Sequence, residues 1–147
     1  MIGNATMKVF YSSLDMMSAA TMPSRLQHVV IGEMAARLGG TVSFYVAEDP
    51  AFMYEQYTLR ARLALSPAMD GLIFLRLQQF AYGDKIDVAF MGEILDMGYE
   101  IHFARENLSI RSRAELKDCF PTLYAFQIHE GNTGENPLYL QHTTTDA

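Results

Sequence analysis

Cysteine occurs once, as Cys119, in a chain of 147 residues. A single thiol builds no internal disulfide framework and no multi-cysteine metal site, so a reducing compartment is expected. Cations are scarce as well: 11 Lys and Arg stand against 17 Asp and Glu, for a net charge of −6. That balance opposes non-specific attraction to nucleic acid, because backbone binding rests on Lys and Arg displacing counterions from phosphates. No window approaches the run of about eighteen apolar residues that a membrane span requires, and the opening MIGNATMKVFYSSLD has no long apolar segment of the signal-peptide kind. The expectation is a soluble, cytoplasmic protein without a membrane partner. A Gly-rich phosphate loop and other cofactor motifs are missing, and no His or acidic residue stands at metal-like spacing from His28, so neither cofactor nor metal is expected.

Half of the residues are apolar, which suffices for one domain with a proper core and is tight for two. Gly71 to Glu106, GLIFLRLQQFAYGDKIDVAFMGEILDMGYEIHFARE, reads as strand, helix, strand. Gly71 to Leu77 is a short apolar run of the kind covered on both faces of a parallel sheet. A helix is expected from Asp84, with Asp87 reaching back and Ile86, Phe90, Ile94 and Met97 forming its apolar stripe, until Gly98 stops it. Tyr99 to Phe103 alternates as the next strand, joined by a right-handed crossover.

Upstream, Met7 to Tyr11 reads as the first strand and SSLDMMSAATMP as the polar edge after it, where α/β sheets bind ligands. Pro23-Ser24-Arg25-Leu26-Gln27 predicts a helix capped by Ser24 with Gln27 as its reciprocal partner, ending at Gly39-Gly40. Thr41 to Val46 is a β-branched and aromatic strand, and Glu48-Asp49-Pro50 is read as a solvated turn. A helix with a late start is placed between Pro50 and Leu65, carrying Arg60 and Arg62 on different faces. Arg105, Arg111 and Arg113 form the densest basic cluster, read as a loop with the start of a helix that Ser112 and Glu115 cap. Pro121 interrupts or restarts that helix, which Thr122 to His129 can continue. Gly131-Asn132-Thr133-Gly134-Glu135-Asn136-Pro137 is a strong loop signature. The expected organisation is one α/β domain over residues 1–130 and a Gly- and Asn-rich loop and tail over 131–147.

In its central unit the chain resembles the catalytic domain of the serine recombinases, the resolvases and invertases. There a central strand ends in Leu-Asp-Arg-Leu-x-Arg before a helix, a Gly and a strand; here that place is taken by Leu77-Gln78-Gln79-Phe80-Ala81-Tyr82, with no gap to Gly98. The resemblance covers roughly residues 7 to 128. It implies a three-layer α/β sandwich with a mostly parallel sheet of four to five strands and helices on both faces. The family's first strand leads into Tyr-x-Arg-x-Ser, whose Ser attacks a DNA phosphate. Aligned on Tyr11, the Arg becomes Ser13 and the nucleophile becomes Asp15, and the same register puts Gln56 at a further arginine position. Ser13, Asp15, Gln56, Gln78, Gln79 and Tyr82 therefore occupy former active-site positions without their chemistry. An aspartate with no cation beside it repels a phosphodiester. The family's long dimerising helix and DNA-binding domain have no counterpart in the last residues.

The resemblance thus implies a pseudoenzyme with no catalytic residue: a regulatory or scaffolding module that binds a protein partner or itself, as a homo-oligomer. Ten Met, nine Phe and eight Tyr favour contact surfaces, and Met16, Met17, Met53, Tyr54 and Tyr57 are the candidate partner surface. A DNA-recombination accessory protein that still binds DNA is the alternative, which the net charge disfavours. A third reading is an α/β enzyme of unknown substrate that uses Asp15, Glu48 or Asp49 at the sheet's carboxyl edge.

Overall fold

The computed structural model describes residues 6–82 and 85–125. In chain order its elements are β1 (Lys8–Leu14), α1 (Ser24–Arg37), β2 (Gly40–Ala47), α2 (Tyr57–Leu63), β3 (Gly71–Phe74), β4 (Ala81–Tyr82), β5 (Lys85–Ile86), α3 (Val88–Asp96), β6 (Glu100–Phe103), β7 (Leu108–Ile110) and α4 (Arg113–Asp118). A further helical stretch occupies 120–125. The main sheet runs β2-β1-β3-β6-β7, and its first four strands are mutually parallel while β7 is antiparallel to β6. β4 and β5 form a separate small hairpin.

The expected mostly parallel sheet with helices on both faces is what the chain forms, and the residue alternation along the strands explains how. Phe10, Ile73 and Leu75 face α1, where they bury Ile31, Met34 and Ala35. Leu72, Phe74, Ile101 and Phe103 face the other way, against Leu59 and Leu63 of α2, Phe90 and Ile94 of α3 and Leu116 of α4. Every residue of β3 is buried, as a central strand covered on both sides must be. Each such Leu, Ile or Phe side chain contributes roughly 1.5–3 kcal/mol by leaving water. Gly71 opens β3 because nothing larger fits: a Cβ there would stand 2.5 Å from the Glu100 carbonyl oxygen. Gly98, at φ +92°, turns the chain out of α3 in a conformation that side chains disfavour.

Several boundaries differ from the sequence expectation, each for a local reason. β1 runs on through Leu14, because Ser12 and Ser13 pair with β2 on one side and β3 on the other; the Ser12 hydroxyl donates to the Ile73 carbonyl at 2.6 Å. They are strand residues and not turn residues. β3 ends at Phe74, and Leu77–Phe80 forms a short 3-10 turn instead of continuing the strand. Ser24 is the first residue of α1 and not its cap, since Pro23 holds that position and Gln27 points inward, fully buried. Between Pro50 and Leu65 the helix does begin late, a 3-10 turn at Pro50–Phe52 preceding α2, which starts at Tyr57. Glu48 sets that start by accepting from the Thr58 and Leu59 amides, both at 2.8 Å, so it is a buried helix cap and not a solvated turn residue. α3 begins at Val88, with Asp87 accepting from the Phe90 amide at 3.0 Å, while Ile86 belongs to β5; Asp84, the expected cap, lies outside the described residues. Ser112 does accept from the Glu115 amide, at 3.1 Å, but Glu115 reaches Arg111 N and not the cap's own amide. The segment read as a connecting loop after Phe103 contains β7. The tail over 131–147 and the boundary at residue 130 also lie outside the described residues.

Candidate functional site

The strand order reverses direction at β1, with β2 on one flank and β3 on the other, and in doubly wound sheets the crevice beyond the carboxyl ends at such a point is where ligands bind. Asp15 stands directly after β1 and Arg76 two residues after β3. The two side chains meet, Arg76 Nε donating to Asp15 Oδ2. Asp15 is 2 % exposed and Arg76 24 %. The same oxygen accepts from the Ser18 hydroxyl at 2.7 Å, and Oδ1 accepts from the Met17 amide at 3.1 Å. A carboxylate has roughly four acceptor positions, so this one is largely filled by its own chain.

Glutamines hold the pair in place. Gln27 accepts from the Asp15 amide and donates to the Asp15 carbonyl, both at 2.8 Å, and donates to the Met22 carbonyl at 2.9 Å. Gln79 donates to the Ser13 carbonyl at 2.8 Å and accepts from the Arg76 amide at 3.1 Å. Gln78 accepts from Arg76 Nη1 at 3.3 Å. Asp15, Ser18, Arg76 and Gln78 therefore bond one another through their side chains while Gln27 and Gln79 bond the backbone beside them, and the guanidinium is turned onto a carboxylate instead of being presented to a phosphate. The aspartate does have a cation beside it, contrary to the reading that left it without one. Arg76 is the residue that sequence reasoning missed. Its signal was position: it follows the central strand and precedes the Leu77 motif by one residue. Gln27 gave no comparable signal, since it reads as part of a capping box.

Among the positions that the resemblance nominated, Ser13, Asp15, Gln78 and Gln79 converge here. Gln56 is buried but serves the backbone, sitting at φ +52° just before α2. Tyr82 is 63 % exposed and packs edge-on against Tyr54, their ring centres 4.9 Å apart. Tyr54 lies close enough to Asp15 to feel its charge: burial pushes the phenol up and Asp15 adds to the rise, while Arg76 opposes it. Of the candidate partner surface, Met17 and Tyr57 are more than half exposed, and Met16 and Tyr54 are half-buried. Met53 must be corrected. It is 4 % exposed, a buried side chain directly after the 3-10 turn, so its replacement by Asp tests the fold and not a partner. Phe52, exposed and packed beside Tyr57 at 5.7 Å, takes its place on the surface.

Asp49 only caps the turn, accepting from the Ala51 amide at 2.9 Å. Three of the basic residues are each taken up locally. Arg60 lies over Phe90 at 3.7 Å and near Asp87 and Glu93, Arg62 lies over Phe44 at 4.2 Å, and Arg113 pairs with Asp96 at 2.6 and 2.9 Å. Among the described residues no group of three or more His, Cys, Asp or Glu is placed to hold a metal ion, and no helix is long and apolar enough to cross a membrane. No family model matches this chain, and no curated protein or solved structure gives a significant match to it.

Proposed function

We propose that this chain is a serine-recombinase-like module that has given up phosphoryl transfer at the carboxyl edge and acts there through protein contacts, in regulation or scaffolding, by binding a partner or a second copy of itself. One observation carries the reading: the aspartate at the nucleophile position and the nearby arginine neutralise each other. Phosphoryl transfer without a metal needs positive charge presented to the phosphate, and losing one such donor costs on the order of a hundredfold in rate. Here the charge is consumed internally. In the segments that follow the carboxyl ends of β1, β2 and β3 stand Met17, Phe52, Tyr57 and Tyr82, each about half exposed or more, which are side chains that favour interface cores.

The test is a tagged pull-down from the native host, with and without nuclease, comparing wild type with the folded Met17→Asp/Tyr57→Asp variant. The reading expects specific proteins, or untagged copies of the chain, captured after nuclease treatment and lost in the variant. Capture that disappears with nuclease, or that the variant leaves unchanged, refutes it.

A further inference from the structure

A second polar cluster lies on the α1-side face of the sheet, away from the carboxyl edge. His102 and Ser109 are directly opposed across the antiparallel β6–β7 pair, and Glu100, two residues before His102, shares its face. His102 Nε2 is 2.8 Å from Glu100 Oε1, and His102 Nδ1 is 2.6 Å from Ser109 Oγ. Chemistry assigns the protons. An ionised carboxylate can only accept, so Nε2 carries the ring proton, Nδ1 keeps its lone pair, and the Ser109 hydroxyl donates to it. Burial pushes the Glu100 carboxyl up, but its hydrogen bonds with Lys8 and His102 outweigh this and hold it below its ordinary value; Lys8 Nζ bonds Glu100 Oε2 at 2.9 Å. Burial pushes the His102 imidazole down, against the pull of Glu100, which keeps it a neutral base.

Nucleophile, base and orienting carboxylate are thus in hydrogen-bonded sequence, the arrangement that activates a serine hydroxyl. The ring is used in the opposite sense to the familiar serine proteases, with the carboxylate on Nε2 and the serine on Nδ1; a neutral imidazole serves either way. His102 is fully buried whereas Ser109 is partly exposed, so the base is shielded and the nucleophile can be reached. Arg111 is exposed and near enough for its charge to act on His102, which favours a substrate carrying negative charge.

We propose that Ser109, with His102 as general base and Glu100 as positioning residue, is the nucleophile of an acyl-transfer site for small, negatively charged esters. In this step Ser109 Oγ attacks the ester carbonyl carbon and its proton passes to His102 Nδ1. The bond to the leaving alkoxide then breaks as His102 returns that proton to it, and Glu100 stabilises the transient imidazolium. Water, deprotonated by the same nitrogen, attacks the Ser109 ester, releases the acid and restores the hydroxyl. This inference stands apart from the interaction reading, since it uses the opposite half of the sheet.

The experiment treats the full chain with a fluorophosphonate probe, maps the adduct by mass spectrometry, and follows hydrolysis of 4-nitrophenyl hemisuccinate. The expected result is one adduct per chain, on Ser109, absent in Ser109→Ala. Hydrolysis should slow by about 10²-fold or more in His102→Gln, the usual scale of general-base loss. Replacing buried His102 endangers the fold, so the partly exposed Glu100 gives a second variant. The wild-type labelling rate should rise with pH through a midpoint below the ordinary imidazole value, and Glu100→Gln should move that midpoint lower, because it removes the negative charge that favours the imidazolium. A labelling midpoint that Glu100→Gln leaves unmoved means that His102 is not the base, and overturns the proposal. Folded wild-type protein that takes no probe, an adduct elsewhere, or wild-type hydrolysis by Ser109→Ala overturns the proposal.

Discussion

Replacing Asp15 and Arg76 singly and together measures whether the carboxyl edge is the closed pair described above. In Arg76→Met the guanidinium is lost while Asp15 stays buried, 2 % exposed, with only the Met17 amide and the Ser18 hydroxyl as donors. Breaking a fully buried ion pair from one side costs about 3–5 kcal/mol. Arg76 is 24 % exposed, and water screening there reduces the expected loss to roughly 2–3 kcal/mol. In Asp15→Leu the arginine retains Gln78 and its exposed side, but Met17 N and Ser18 Oγ lose an acceptor, so a loss of roughly 2–3 kcal/mol is again expected from the unmet polar groups. The double variant leaves no uncompensated charge. Its loss should fall short of the two single losses added together by about 1–2 kcal/mol, the scale of coupling between contacting residues. Urea denaturation of the four proteins at one pH gives the values, with unchanged m-values showing that the same unfolding is compared. Additive single effects, within about 0.5 kcal/mol, would refute the reasoning, because two side chains that hold each other in a buried pair cannot act independently.

Other perturbations follow from particular contacts. Gly71→Ala should destabilise by about 1–3 kcal/mol, the usual cost of overpacking, because its Cβ would meet the Glu100 carbonyl at 2.5 Å; a lower urea midpoint checks it. Glu48→Ala should cost about 1–2 kcal/mol by leaving the Thr58 and Leu59 amides without their acceptor, and amide exchange should quicken first in α2. Because His102 titrates below its ordinary 6.5, the unfolded chain binds a proton more readily than the folded one. Its contribution to stability is therefore present above about pH 6.5 and is lost as pH falls through the folded value. Calorimetry from pH 8 to 5 should show the melting temperature falling, and His102→Gln, if folded, should flatten that part of the slope.

The sheet was legible because its strands carry their own signals. GLIF is too short and too apolar for anything but a central strand, and TVSFYV is β-branched and aromatic. The end of β1 was not legible, because Ser12 and Ser13 look like turn residues until strands on both flanks use their backbone. β7 was hidden for the related reason that three residues with a central Ser carry no period. At the site, Asp15, Gln78 and Gln79 were readable as positions, whereas their convergence depends on Arg76 crossing from β3 to β1, a contact between residues 61 apart in the chain. Met53 went astray because loop methionines next to aromatics look alike whether they face solvent or core. Only the folded chain decides which. The Ser109–His102–Glu100 cluster was invisible for lack of β7, since the two strands must pair before the hydroxyl meets the ring.

The most direct test of the closed carboxyl edge is an amide NMR titration of the labelled chain with a short DNA duplex at low salt, where phosphate binding is strongest. The account predicts no saturable shifts for residues 13–18 and 76–79, because the arginine there is already engaged by Asp15. Saturable shifts centred on those residues and suppressed by added salt would contradict it, and would show that Arg76 leaves the aspartate to hold a phosphate.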